Sequence, residues 1–168
     1  MDDLLGMASR FRWAVDSAHA AGEFDGDVVF RRFPNGCCDD ASILLARYLH
    51  DHDVMVKRAY GVFCSGGFQE TRSHVWLLAD GGTIIDITGD QFRCNSLFDN
   101  FDVPVYVGPS NEFYEMFEDL EIQGYESLRI ESLARDCRPR LLALYEVVMR
   151  YMYVDWDTKG LADDEKCF

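Results

Sequence analysis

Cys38 follows a glycine turn at Gly36 and precedes two acids, Asp39 and Asp40. Acids in that position mark the first turn of a helix, where they suit the positive end of the helix dipole. The pattern puts Cys38 at a helix N-terminus. A thiol attacks poorly until it ionises, and helix N-termini and neighbouring imidazoles both favour the thiolate. His74 stands 36 residues further on, inside an expected strand, and Asp86 lies in the next strand of a hairpin. Neighbouring antiparallel strands can set such a pair side by side. Asp86 would then orient the imidazole while the second ring nitrogen faces Cys38.

Each residue also has a plainer reading. A cysteine on an apolar helix packs as core, a histidine in a strand is satisfied as a polar group, and an aspartate after Thr83-Ile84-Ile85 can cap a turn. Asp86 is the least ordinary of the three. Ile84, Ile85 and Ile87 surround it, so it should be buried, and a buried acid needs a partner.

The elements that must position these residues follow from periodicity. Residues 3–21 carry Leu4, Leu5, Met7, Ala8, Phe11, Val15 and Ala18 at spacings of three and four, a helical pattern. Gly22 and Asp25-Gly26 end it. Val28-Val29-Phe30 is expected as a short strand or extended segment, and Phe33-Pro34-Asn35-Gly36 as a turn. A second helix covers about 38–50. The period then changes: strands are expected at 54–63, 73–78 and 83–87, with Asp80-Gly81-Gly82 as the hairpin turn. Residues 64–71, with Ser65-Gly66-Gly67, read as a mobile loop. A further strand is expected at 103–107 and helices at 110–118 and 139–152, the last with Pro139 in its first turn. The polar tail from Asp155 is expected to fray. The order is that of one α+β domain spanning 1–168.

The stretch 34–92 resembles the catalytic core of the transglutaminase-like branch of the papain-like cysteine protease superfamily. Gly36-Cys37-Cys38 with Asp40 and Ser42 matches the family's nucleophile helix. His74-Val75-Trp76 matches its His-x-Trp strand, and Asp86-Ile87-Thr88 its Asp-x-Thr. The resemblance implies a papain/transglutaminase-like core with Cys38, His74 and Asp86 as catalytic triad. It covers about a third of the chain, and departs from the family where Asp53 replaces a glycine and the loop before His74 is short. Cys37 competes with Cys38 locally, with Asp39 and Ala41 in the matching places, but the longer register through Asp53, Val54 and Val56 favours Cys38. The backbone N–H of Cys38 would be one oxyanion donor. Asn35 and Gln91 are candidates for the second, and Trp76 is expected to line or roof the cleft or to pack as core.

The implied chemistry is acyl transfer through a thioester. Hydrolysis of a protein or peptide amide is favoured; transfer to an amine, as in a transglutaminase or acyltransferase, and a non-catalytic binding module are the alternatives. The chemistry calls for no cofactor and no metal. A formal net charge of −14 disfavours nucleic acid as a partner. No apolar run is long enough for a membrane span. The acidic start, MDDLLGMASRFRW, is unlike a secretory signal, so a cytoplasmic location is expected, with export by a signal-free route left open. The six cysteines are read as reduced thiols in a chain with 48% apolar residues, enough for a core without disulfide staples.

Overall fold

The chain builds an antiparallel sheet with long helices on one face and an aromatic cluster on the other. The computed structural model describes residues 4–64 and 71–154. Helix α1 (Leu4–Ala20) buries Met7, Phe11, Val15 and Ala18 along one stripe, as its spacing requires. Helix α2 (Cys38–His50) is buried along most of its length, from Ala41 to Leu49. Strands β1 (Lys57–Cys64), β2 (Thr71–Leu78), β3 (Ile84–Asp86), β4 (Tyr106–Gly108) and β5 (Glu118–Gln123) form one sheet in the order β4-β3-β2-β1-β5. All its pairings are antiparallel. Short helices α3 (Glu112–Glu115) and α4 (Tyr125–Leu128) flank β5, and α5 (Arg138–Val154) closes the described chain. No helix among the described residues is long and apolar enough to cross a membrane.

Alternation along β2 and β3 divides the interior into two clusters. Leu77 and Ile85 join the helices α1, α2 and α5. Trp76 and Ile84 join Phe92, Phe98, Phe113, Tyr114 and Phe117 on the opposite face. Gly61 of β1 lies across from His74. A Cβ there would sit 2.7 Å from the Phe117 Cβ and 3.1 Å from the Trp76 ring, so only glycine lets the aromatic cluster close over the strand.

Several segments differ from expectation. Residues 28–30 are no strand. The Asp27 carboxylate accepts from the Val29 and Phe30 amides and starts a 3-10 turn at Phe30–Arg32. The expected helix at 110–118 is one turn long, and the chain then enters β5, which the sequence pattern does not announce. The strand expected at 103–107 begins three residues later, after Pro104. The expected loop and polar tail fall largely on 65–70 and 155–168, outside the described residues.

Candidate active site

The turn before α2 sets up the thiol. Gly36 adopts φ +69°, a left-handed conformation that glycine takes without strain. Cys37 then occupies the N-cap position and Cys38 is the first helical residue. The two adjacent thiols meet different surroundings. Cys37 is buried, and its Sγ donates to the backbone oxygens of Val29 and Asn35 at 3.3 and 3.4 Å. Burial, with the charge of Asp40, pushes its thiol up to about 12. Burial and a raised thiol disfavour the reactive thiolate of Cys37 at neutral pH. Cys38 is half-buried and is close enough to His74 to favour its protonated form. The acids behind it are neutralised: Asp39 pairs with Arg58 at 2.8 Å and Asp40 with Arg140 at 2.7 Å.

His74 is fully buried. Its Nε2 lies 2.7 Å from Asp86 Oδ2. The β2–β3 register pairs Leu77 with Ile85. Continued by one residue, it sets Asp86 across from Trp76 and diagonal to His74, within reach on the same face. Trp76, Phe92, Phe113 and Phe117 pack around the imidazole at ring-centroid separations of 5.2–6.0 Å. Burial alone would lower the imidazolium. The charge and hydrogen bond of Asp86, with Cys38 adding, outweigh it and raise His74 to about 9.

Asp86 is held from four directions. Oδ1 accepts from the Thr88 amide and hydroxyl at 2.8 and 3.1 Å, and Oδ2 accepts from Tyr114 Oη at 3.0 Å as well as from His74. Burial opposes its ionisation. The His74 charge and these hydrogen bonds overcome that and hold the carboxyl below its ordinary value. Burial and the facing Asp86 charge push the Tyr114 hydroxyl far up, so it stays a donor.

Compared with family models, curated proteins and solved structures, the chain matches none. His74 is hydrogen-bonded to Asp86 and interacts with Cys38 as well, so the structure brings the three residues together. Gln91 joins them: its Nε2 lies 3.1 Å from His74 Nδ1 and 3.0 Å from the Thr88 oxygen. Asn35 stands exposed on the turn before Cys37. Trp76 is 3% exposed. It packs as core against His74, Tyr114 and Phe117 and does not roof an open cleft. A cavity of about 560 Å³ near Phe98, Phe101 and Phe113 lies behind the aromatic cluster and is lined by none of the triad residues.

Tyr114 is the member that sequence reasoning missed. It is 28 residues from Asp86, on a short helix whose apolar spacing gives no hint of a polar task. Arg12 was missed too. It is buried and donates to Asp90 at 2.7 and 2.9 Å and to the Ile87 and Pro104 oxygens. In this way α1 fixes the loop that carries Asp86, Thr88 and Gln91.

Proposed function

We propose that the protein is a thiol-dependent acyl-transfer enzyme with Cys38 as nucleophile, most directly a hydrolase of peptide or protein amides on a papain/transglutaminase-like core. The observation that carries this reading is the buried His74, bound through Nε2 to Asp86 and interacting with a half-buried Cys38 at a helix start. A merely packed histidine needs neither a buried carboxylate partner nor a partly accessible thiol as neighbour.

In the proposed sequence Cys38 Sγ gives its proton to His74 Nδ1 and attacks the carbonyl carbon, forming a C–S bond. The oxygen takes up negative charge beside the first-turn N–H groups of α2, which have no partner within the helix. The C–N bond then breaks, and the leaving amine takes the proton from Nδ1. Water attacks the thioester, returns a proton through His74 and releases the acid. Asp86 stays ionised throughout, holding the ring and stabilising its cation. Water is favoured as acceptor because its exclusion requires a dedicated tunnel; transfer to an amine uses the same first half.

The acyl-enzyme is the species to trap. p-Nitrophenyl acetate should give a burst of nitrophenol with an acetyl group on the peptide holding Cys38, and Cys38→Ala should lose both. Acetylation that persists in Cys38→Ala would contradict the reading.

A further inference from the structure

The His74 ring is pulled two ways. Asp86 favours the doubly protonated imidazolium, yet a hydrogen-bond donor sits on Nδ1. The donor is identifiable from its other contact: the Gln91 amide group that faces Nδ1 also lies 3.0 Å from the Thr88 carbonyl oxygen, and a carbonyl only accepts. That end of the amide is therefore the NH₂. Its second N–H, 3.1 Å from Nδ1, needs a lone pair there, so in this arrangement Nδ1 carries no proton and the ring proton is on Nε2, toward Asp86. An imidazolium would set N–H against N–H.

Resting on the triad reading, we infer that Gln91 is a latch on the proton state of the site: it holds His74 Nδ1 as an acceptor, restrains transfer of the Cys38 proton, and must swing off Nδ1 when that proton arrives. Its surroundings suit a side chain that moves alone. The neighbours Asp90 and Phe92 are buried, Asp90 on Arg12 and Phe92 in the aromatic cluster, while Gln91 is half-buried. Among the described residues, the other groups facing His74 are these. Cys38 of α2 and Asp86 of β3 are its titratable partners; Tyr114 of α3 acts through Asp86, and Tyr106 of β4 packs against Tyr114. The remaining ring neighbours Trp76, Phe92, Phe113 and Phe117 carry no charge. Gln91 thereby acts through His74 and is a positioning residue.

The test follows the His74 ¹⁵N resonances against pH in the full chain, with the iodoacetamide rate of Cys38 measured in parallel. In Gln91→Ala, His74 should take up its second proton about one pH unit higher than in the parent, the value of one lost hydrogen bond. Cys38 should then alkylate about tenfold faster on the acid side of its profile. Gln91→Glu supplies an acceptor in place of the donor and should shift His74 further in the same direction. An unchanged or lowered His74 titration in both variants would overturn the latch. If fast alkylation survives Cys38→Ala, the triad reading fails instead, and the ¹⁵N titration still decides the latch.

Discussion

Tyr114 and His74 share a single oxygen of Asp86, Oδ2, at 3.0 and 2.7 Å. A carboxylate whose charge is drawn by a second donor pulls less strongly on the imidazole. Tyr114→Phe keeps the ring that packs against Trp76 and Tyr106 and removes only the hydroxyl. The expected result is a higher His74 titration, an alkylation profile moved toward acid by less than about one unit, and a stability loss of about 1 kcal/mol. A histidine NMR titration with a parallel urea melt checks all three, and a His74 titration moved downward would contradict the shared-oxygen account. Cys37 and Cys38 differ by their place at the helix start, Cys37 as N-cap and Cys38 as first helical residue. One helical position turns a thiol from backbone oxygens toward an imidazole.

At the scale of elements, the start of α2 is clamped by α5. Arg140 donates twice to Asp27 and once to Asp40, tying the helix that bears the thiol to the turn before it. Asp27 is lowered to about 2, chiefly by its hydrogen bond to Arg140, which with the Phe30 and Val29 amides outweighs the opposing effect of burial. Its folded value lies below the ordinary 3.8, so its contribution is present above that value and is lost as pH falls toward 2. Arg140→Met should cost about 1–2 kcal/mol at neutral pH and move acid unfolding, followed by circular dichroism, to higher pH. Superimposable acid curves would speak against the clamp.

Much of this layer was legible in the chain. The stripe of α1 follows from its helical period, the acids behind Cys38 from the helix dipole, and β2 from its apolar run, whose Trp76 and Leu77 go to opposite clusters. What was not legible depends on distant partners. Phe113, Tyr114 and Phe117 keep helical spacing, yet they fold over His74 and leave helix after one turn. Strand β5, with Glu118, Asp119 and Glu121, is almost wholly exposed and is held chiefly by pairing with the edge of β1. Asp27 turned Val28-Val29-Phe30 from extended chain into a 3-10 turn by accepting two amides. In the site, the order Cys38, His74, Asp86 was readable; Tyr114 and Arg12 were not, since their partners lie 28 and 78 residues away.

Across the whole molecule, Arg12 joins the helical layer to the site-bearing loop. It and Asp90 are 7% and 4% exposed, and the guanidinium also lies over the Phe33 ring at 4.7 Å. Removing one partner of a buried pair leaves the other charge without compensation. Arg12→Met should therefore cost about 3–5 kcal/mol, with much of it recovered in Arg12→Met/Asp90→Asn, as read from denaturant midpoints. No recovery in the double variant would mean that the backbone contacts to Ile87 and Pro104, not the ion pair, carry the link.

In the proposed reading, His74 activates Cys38 and leaves the adjacent Cys37 unreactive. The most direct measurement is the iodoacetamide alkylation rate against pH, with the labelled residue mapped by mass, in the parent chain and in Cys38→Ala, Cys37→Ala and His74→Ala. The fast label should map to Cys38, vanish in Cys38→Ala, persist in Cys37→Ala and slow at neutral pH in His74→Ala. A fast label on Cys37, or a profile that none of the three substitutions alters, would contradict the claim.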